Sequence, residues 1–277
     1  MRFSYTFKEC DDSDVVILGF PFDSTESYRF GSRFGPNAIR KASLNLDSYL
    51  VDLDIDPFES LVISDVGDVE VVQGNVSRSL KALEEKLTKF IGKKFTCILG
   101  GEHTLSYVSR LYGCKIIQLD AHADLEDREM CHSSFMRHLS EEIGGEAIIQ
   151  VGIRCLDKKE LEYAKKQNIK QIMAKDILEK GLGFALDSLN LIENENVYLT
   201  IDLDVLDSSC SPGVSNPEPF GLNNKDLYLI LGEICRKTNV LGFDICELSP
   251  PYDLSEITAI TAARIALYIF GLHALKR

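Results

Sequence analysis

The sequence predicts an α/β fold in which helices cover both faces of a parallel sheet. Eight short apolar runs read as buried strands, and each is followed by a helical pattern or a long loop. Such strict alternation is typical of parallel sheets with two covered faces. No linker, low-complexity tract or fixed repeat interrupts the 277 residues, so one domain spanning residues 1–277 is expected.

The elements follow one another in a regular order along the chain. The predicted strands are residues 14–20, 61–65, 95–99, 115–119, 147–151, 169–173, 197–201 and 240–246. The predicted helices open near Pro36 and Thr104 and cover residues 76–91, 134–143, 158–167, 184–192, 224–235 and 256–270. This pattern fits a closed barrel or an open sheet, and in both the chemistry gathers at the carboxyl ends of the strands.

Composition narrows the functional classes. The net charge of −13 argues against nucleic-acid binding, which requires a basic patch, and suits small cationic substrates better. No secretory signal is recognisable, and no apolar run approaches the ~20 residues that span a bilayer, so no membrane association is expected. The eight cysteines form no C-x-x-C pair, and a cytoplasmic location without disulfides is expected.

One short stretch carries the strongest chemical signal. Asp120, His122 and Asp124 follow the apolar strand 115–119 and alternate with two alanines. In an extended backbone, residues two apart point to the same side, so the three side chains should converge. Carboxylate and imidazole together suit a divalent ion such as manganese, iron or zinc. An aspartate at a strand end also caps helices, which is the alternative for this stretch alone.

Three other predicted strands end in groups of the same kind. Asp202 and Asp204 close the strand before them at the same spacing, and His103 and Glu247 follow two further strands. Each could instead be a turn former, a cap or an ordinary polar residue. Carboxylates gathered at one sheet edge would repel one another unless cations lay between them. A two-metal site is therefore predicted.

These segments together resemble the signatures of a known family. The segments are Gly100–His103, Asp120–Asp124 and Thr200–Asp207, with Tyr28–Arg40 before them and Glu247–Asp253 after them. They are similar to the metal-binding and loop motifs of the ureohydrolases (arginase and agmatinase), closest to the agmatinase form. The match runs in order from about Val15 to the C-terminus. It implies a three-layer α/β/α sandwich around an eight-stranded, mostly parallel sheet, and a homotrimer or homohexamer.

Carried over residue by residue, the resemblance implies two Mn²⁺ ions per subunit. The ligands would be Asp120 and Asp202 as bridges, His103 and Asp124 on one ion, and His122 and Asp204 on the other. Glu247 would receive the substrate guanidinium. His132 would transfer a proton and contact the substrate, with His138 as the rival for the proton.

The loop that follows Asp120–Asp124 predicts agmatine as the substrate, which would be hydrolysed to putrescine and urea. Arginase-type relatives carry an Asn there that helps to hold a carboxylate, whereas this chain has Glu126 followed by Asp127 and Arg128. Glu126 and Asp127 would attract an amine, although Arg128 could turn inward and accept a carboxylate. Arginine, guanidinobutyrate, other guanidino acids and formimidoylglutamate remain alternatives. A metal-stabilised binding protein without catalysis is the alternative of another class.

Overall fold

The computed structural model describes residues 1–8 and 11–277, and their strands form one eight-stranded sheet. The strands are β1 (Val15–Phe20), β2 (Ile63–Asp68), β3 (Phe95–Gly100), β4 (Lys115–Leu119), β5 (Ile148–Ile153), β6 (Lys170–Met173), β7 (Asn196–Asp202) and β8 (Asn239–Cys246). Their order across the sheet is β2-β1-β3-β8-β7-β4-β5-β6, and every neighbouring pair is parallel. The predicted eight-stranded sheet is confirmed, and it is open rather than a closed barrel.

Helices connect most of the strands. The α-helices are α1 (Gly35–Ser43), α2 (Pro57–Ser60), α3 (Val76–Leu87), α4 (Phe135–Ile143), α5 (Lys158–Lys166), α6 (Ala174–Lys180), α7 (Leu182–Ser188), α8 (Asn224–Lys237) and α9 (Ile257–Ala274). Shorter 3-10 helices are Ser32–Phe34, Gly145–Ala147, Leu189–Ile192, Leu203–Val205 and Pro250–Tyr252, and a longer one is His103–Tyr112.

The helices lie in two layers because strand side chains alternate between the faces of the sheet. In β1, Val15 and Ile17 join one core, whereas Val16 and Leu18 join a core on the opposite face. Residues of α1 and of α6 to α9 complete the first core. Residues of α3, α4 and α5 complete the cores of the second face. The predicted three-layer sandwich is therefore confirmed.

Several helical segments differ from the sequence prediction, including the short α2, which was not predicted. The helix expected from Thr104 is a 3-10 helix, His103–Tyr112. The helix expected over residues 184–192 is instead α7, which begins at Leu182, followed by a 3-10 turn. The unpredicted α6 precedes it and ends at Gly181, whose φ of 83° stops the first helix where the second begins.

Helix α9 has the length and mean hydropathy, 1.5, of a membrane-spanning helix, contrary to the expectation that no apolar segment approaches that length. Inside the protein, however, 67% of it is buried, and it packs against α1 and α8. A helix that is apolar on all sides is typical of a core position. Among the described residues, Cys97, Cys114, Cys131, Cys155, Cys210, Cys235 and Cys246 form no disulfide, whereas Cys10 lies outside those residues.

Candidate active site

The predicted site residues meet because the four strands that carry them are neighbours. Strands β3, β8, β7 and β4 lie side by side at the centre of the sheet and all run in the same direction. Their carboxyl ends therefore open at one edge, which is where open α/β sheets bind their ligands. His103 follows β3, Glu247 follows β8, Asp202 ends β7 and Asp120 follows β4.

The first cluster at this edge is centred on His103. Its Nδ1 atom lies 3.0 Å from Asp120 Oδ2, 3.2 Å from Asp124 Oδ2 and 3.3 Å from Asp202 Oδ2. His103, Asp120 and Asp202 are all buried, and one ligand atom of each lies within 4.8 Å of the others. The structure thus brings one imidazole and three carboxylates around a single point.

The second cluster shares Asp120 with the first. His122 Nδ1 lies 2.8 Å from Asp204 Oδ2 and 3.7 Å from Asp120 Oδ1. Asp204 is held in place on both sides, because its backbone N–H donates to Asp202 Oδ1 at 2.8 Å and its Oδ1 accepts from Ala121 N–H at 3.0 Å. Asp120 therefore lies between two neighbouring ligand sets, as the predicted bridging role requires.

The donor set fits divalent metal ions. Adjacent ligands around an octahedral ion with bonds of ~2.1 Å lie ~3 Å apart, which matches the spacings around His103. His103 Nδ1 is fully buried, yet none of the three carboxylates is aligned to accept a hydrogen bond from it. Buried nitrogen and carboxylate atoms that face one another without good hydrogen bonds are groups that a cation would satisfy.

The electrostatics of the carboxylates support the same interpretation. Burial, together with the charge of Asp120, raises the pKa of Asp124 to about 7. Burial and the charges of Asp204 and Asp120 raise the pKa of Asp202 well above its usual range. Burial would also raise the pKa of Asp120, but the neighbouring His103 and His122 lower it overall. A divalent cation would stabilise the ionised form of all these groups.

A row of three glutamines, of which Gln118 and Gln150 are buried, supports the carboxylates. Gln171 Nε2 donates to Gln150 Oε1 at 2.7 Å, and Gln150 Nε2 donates to Gln118 Oε1 at 2.5 Å. Gln118 Nε2 then donates to Asp120 Oδ2 at 2.6 Å and lies 3.3 Å from Asp124 Oδ2. The row crosses from β6 through β5 to β4, so the orientation of the ligands is coupled to the register of three strands.

A second supporting group lies behind His103. His103 Nε2 lies 2.8 Å from Thr200 Oγ1, and Thr200 Oγ1 donates to Asp244 Oδ1 at 2.7 Å. Ser106 also donates to Asp244 Oδ1, at 3.0 Å. A buried polar chain of this kind fixes the ring orientation of a ligating histidine and leaves Nδ1 for the site.

Two acidic residues at the site adopt left-handed backbone conformations. The φ angle is 53° at Asp124 and 66° at Glu247, a region that non-glycine residues rarely occupy. Glu247 is held there by bonds at both ends, since its N–H donates to Gly101 O at 2.9 Å and its Oε1 accepts from His103 N–H at 2.6 Å. Such strain is stored where the surrounding structure fixes a functional side chain.

The clusters open into a cavity of about 520 Å³. Its walls include His103, His122, Asp124, Asp202, Asp204 and Glu247, together with Ser27, Tyr28, Glu126, His132, Ser133, Cys155, Leu156, Asp157, Glu160, Asn216, Pro217 and Glu218. Asp120 belongs to both clusters but is buried beneath the wall, where its carboxylate contacts His103 and His122. The cavity therefore combines the metal-capable groups with a strongly acidic wall.

His132 lies in the cavity wall, whereas His138, the alternative residue for proton transfer, does not. The backbone N–H of His132 donates to Thr25 Oγ1 at 3.0 Å, and its Nδ1 lies 3.4 Å from the same oxygen. Thr25 in turn donates to buried Glu102 at 2.6 Å. Burial, with the charge of His122, lowers the pKa of His132 to about 4. His138 instead contacts the backbone oxygen of Arg128 at 3.0 Å and does not line the cavity.

The two acidic residues of the predicted specificity loop lie in different places. Glu126 lines the cavity, with Arg128 Nη1 donating to its Oε2 at 3.1 Å. Asp127 lies outside the cavity wall, is 83% exposed and pairs with Arg137 at 3.3 Å. The two neighbouring side chains therefore point in different directions, and Asp127 does not face the cavity that the substrate is expected to enter.

Several wall residues were not predicted from the sequence. Glu160, Glu218 and Cys155 come from loops and helix starts whose local sequence is typical of ordinary turns and caps. Glu160, for example, forms a capping box with Asp157 at the start of α5, and its Oε1 also accepts from Leu125 N–H at 3.0 Å. The capping signal was visible in the sequence, but the turn of the chain toward the site was not.

The fold and the site agree with those of a known protein family. Residues 13–271 match the model of the arginase family. The chain belongs to the arginase family.

Named relatives of this arginase-family chain act on guanidino compounds. It is 36% identical to N(1)-aminopropylagmatine ureohydrolase of Thermococcus kodakarensis, over 99% of each chain. It is 38% identical to agmatinase of Bacillus subtilis, over 93% of this chain and 91% of the relative. Among solved structures, proclavaminate amidino hydrolase of Streptomyces clavuligerus superposes with a TM-score of 0.90 at 27% identity, covering 98% of this chain and 97% of the other. The resemblance and the fold class predicted from the sequence are confirmed.

Proposed function

We propose that this arginase-family hydrolase cleaves the guanidinium group of agmatine, using water, to release urea and putrescine. The observation that carries the proposal is the meeting of two histidine–carboxylate clusters and Glu247 in one acidic cavity. Metal ions held by such clusters would activate water, and acidic walls attract cationic substrates. The names of the relatives support the same reaction class.

The proposed metal ligands are the six residues of the two clusters, with manganese as the expected ion. His103, Asp124 and the shared Asp120 and Asp202 would hold one ion, and His122 and Asp204 would complete the other. When bound, the ions would supply a water activated for attack on the guanidinium carbon. The glutamine row and the Thr200–Asp244 chain would keep the ligands oriented for both.

Glu247 is proposed to bind the guanidinium. Its Oε2 is buried and has no hydrogen-bond partner among the residues that the structure describes, while Oε1 is fixed by His103 N–H. Burial and the charge of Glu26 raise its pKa well above the usual range, so a neighbouring cation would strongly favour the carboxylate form. The resulting charged hydrogen bond would hold the flat guanidinium above the two clusters.

His132 is proposed to move the proton that the leaving amine needs. Because its pKa is lowered to about 4, the ring is neutral near pH 7 and can accept a proton before donating one. Its Nδ1 is occupied by Thr25, which leaves Nε2 as the nitrogen for the reacting groups. A base that collects a proton and returns it to the amine leaves the enzyme unchanged after each turnover.

A second candidate substrate is N(1)-aminopropylagmatine, which extends the amine end of agmatine by one aminopropyl unit. Glu126, Asp157, Glu160 and Glu218 line the cavity beyond the six proposed ligands, so the wall offers more than one carboxylate to a chain with several amines. Arginine and other guanidino acids would bring a carboxylate to the same wall and meet repulsion. Arg128 is 56% exposed and pairs with Glu126, so it does not supply the wall with a free cation.

Urea release from the manganese-loaded protein tests the proposal. Agmatine, N(1)-aminopropylagmatine and arginine would be compared at equal concentration, with the Asp202→Ala variant as control. The expected result is rapid urea release from one or both amines, little from arginine, and none above background in the variant. Manganese binding without urea release from any guanidino compound would contradict the proposal and favour a metal-stabilised binding protein.

The assembly and location predicted from the sequence also remain proposals. We expect a homotrimer or homohexamer in the cytoplasm, as the family resemblance and the cysteine pattern imply. Light scattering on the purified chain would measure the mass of the assembly directly, and a monomeric mass would contradict the first expectation.

A further inference from the structure

His122 presents its two ring nitrogens to different surroundings. Nδ1 faces Asp204 and Asp120, within the proposed metal clusters. Nε2 points elsewhere and lies 3.8 Å from Glu218 Oε1, which belongs to the same cavity wall but is not one of the six proposed metal ligands. The side chain of His122 is 24% exposed, so this second face is accessible from the cavity.

A cysteine completes the group on this second wall. One ligand atom each from His122, Cys155 and Glu218 lie within 4.8 Å of one another. All three side chains are half-buried and line the same cavity. The group therefore combines an imidazole nitrogen, a thiol sulfur and a carboxylate oxygen, whereas the two proposed metal clusters contain no sulfur.

The backbone holds these three residues in position before any ligand arrives. Cys155 N–H donates to Ala121 O at 2.9 Å, which fixes the cysteine beside the segment that carries His122. Arg154, the neighbour of Cys155, donates to Glu218 O at 2.9 Å and to Asp204 O at 2.6 Å. One arginine thus ties the cysteine, the glutamate and the metal-cluster loop together, and such preorganisation lowers the cost of binding.

We propose that His122, Cys155 and Glu218 form an inhibitory site for a thiophilic divalent cation, of the Zn²⁺ and Cd²⁺ class. A thiolate and a carboxylate balance the charge of such an ion, and three protein ligands leave a fourth position for water or chloride. Thiolate ligands favour zinc and cadmium, whereas manganese prefers the oxygen-rich clusters next to it. On binding, the thiol proton of Cys155 passes to solvent as the metal–sulfur bond forms.

Occupation of this site should lower the hydrolase activity, a consequence that rests on the proposed function. A neutral imidazole has one free lone pair, so an ion at Nε2 competes with an ion at Nδ1 for His122. The bound ion would also neutralise the negative charge of Glu218 in the cavity that receives a cationic substrate. Both effects would weaken the reaction without any change in the fold.

Cadmium titration of the manganese-loaded full-length protein tests the site. The readout is the ultraviolet charge-transfer absorption of a cadmium–thiolate bond, which does not depend on enzymatic activity. Wild type should develop the band with one equivalent of Cd²⁺. Cys155→Ser should abolish the band, and Glu218→Gln should weaken the apparent affinity for Cd²⁺ about tenfold or more.

Cys114→Ser is the matched control, because Cys114 is also half-buried but lies before β4, at the amino edge of the sheet and outside the cavity wall. It should keep both the band and the affinity of wild type. An undiminished band in Cys155→Ser, or an affinity that Glu218→Gln leaves unchanged, would overturn the proposed site. Melting curves of each variant would confirm folding, and Cys155→Ala provides a second test if the serine variant is unstable.

Inhibition is measured separately, so that the site and the proposed function can fail independently. Cd²⁺ should lower urea release from agmatine in wild type far more than in Cys155→Ser. A band with no effect on urea release would overturn the inhibitory role. A band in a protein that releases no urea from any substrate would contradict the proposed function but leave the metal site standing.

Discussion

Two groups of charged residues that include buried members pack on the same sheet, and they are built in opposite ways. Arg40 is 1% exposed and donates to both oxygens of Asp65, at 2.8 and 2.9 Å, and to Asp68 Oδ1 at 2.5 Å. Asp65 also accepts from Phe3 N–H at 2.8 Å. In this Arg40 cluster, the protein supplies both signs of charge, and the hydrogen bonds are satisfied.

The other group, under the cavity, supplies almost only one sign of charge. Its carboxylates repel one another, so that burial and neighbouring charge raise the pKa of Asp202 and of Asp124. Within residues 1–8 and 11–277, His103 Nδ1 and Glu247 Oε2 are buried and form no hydrogen bond. The Arg40 cluster is closed, because its charges are neutralised within the protein, and such a cluster stabilises the fold. The carboxylate cluster under the cavity is open, because the protein supplies too few cations for it, and such a cluster indicates a site for external cations.

The largest effect is expected from removing a shared ligand of the open cluster. Asp120→Ala should lose both metal ions, because Asp120 contacts both ligand sets, and should lower urea release by roughly 1,000-fold or more. Asp202→Ala should do the same if it also bridges. Elemental analysis would measure the metal content, and full occupancy in either variant would contradict the bridging assignment.

The stability of the metal-stripped protein should depend on pH in the opposite sense to that expected for an ion-paired carboxylate, whose pKa is lowered by folding. Because the folded pKa of Asp202 is raised, the folded state binds more protons than the unfolded state above pH ~4. Wild-type stability should therefore fall as the pH rises from ~4 toward that raised pKa. Asp202→Asn should lessen this fall in denaturant titrations at several pH values, and an identical pH profile would count against the open cluster.

Breaking the closed cluster should affect stability rather than metal binding. Arg40→Met leaves Asp65 buried without its cation, which typically lowers the free energy of unfolding by about 3–5 kcal/mol. Urea denaturation would measure the loss. Lys81→Met is the control, since its pair with Glu85 is exposed and should contribute less than ~1 kcal/mol. A loss of metal from folded Arg40→Met protein would show that the Arg40 cluster also contributes to metal binding, which would contradict the separation of the two roles.

A smaller effect is expected where a residue of the cavity wall moves a proton but binds no metal. His132→Asn should lower turnover roughly 100-fold while the metal content stays constant. His138→Asn, in a residue that lies outside the wall, should have little effect. Added imidazole should restore part of the activity of His132→Asn alone. Equal activity in the two variants would remove the proton-transfer role from His132.

The smallest effect is expected from changes in the loop that carries Glu126 and Asp127. Glu126→Gln should raise the KM for agmatine roughly tenfold, because a charged hydrogen bond contributes about 1.5–3 kcal/mol and Arg128 already neutralises part of this carboxylate. Asp127→Asn should leave the KM unchanged, because Asp127 pairs with Arg137 outside the cavity. If neither variant changes the preference between agmatine and arginine, this loop does not select the substrate.

The sequence predicted the strands and the metal-capable residues because both depend on local patterns. An apolar run followed by Asp120-x-His122-x-Asp124 indicates a strand end and a shared direction of side chains, and the parallel sheet then brings such ends together. Strand order was not readable from these patterns. The choice of an open rather than a closed sheet came from the family resemblance.

What the sequence did not predict depends on contacts between distant segments. Gln118, Gln150 and Gln171 each read as one polar residue within a strand, and only the register of three strands aligns them into a supporting row. Glu218 and Cys155 become neighbours of His122 only through the loops that Arg154 ties together. Loop direction also separated Asp127 from Glu126, because local sequence does not determine how a loop turns.

Manganese titration of metal-stripped wild-type protein, followed by its thermal unfolding midpoint, tests the comparison most directly. An ion that binds only the folded state stabilises it by about 2.7 kcal/mol at 100 times its dissociation constant. The midpoint should rise by several degrees in wild type and in folded Arg40→Met, and should not rise in Asp120→Ala. A midpoint that manganese leaves unchanged in wild type, or raises equally in Asp120→Ala, would contradict the assignment of the open carboxylate cluster as a metal centre.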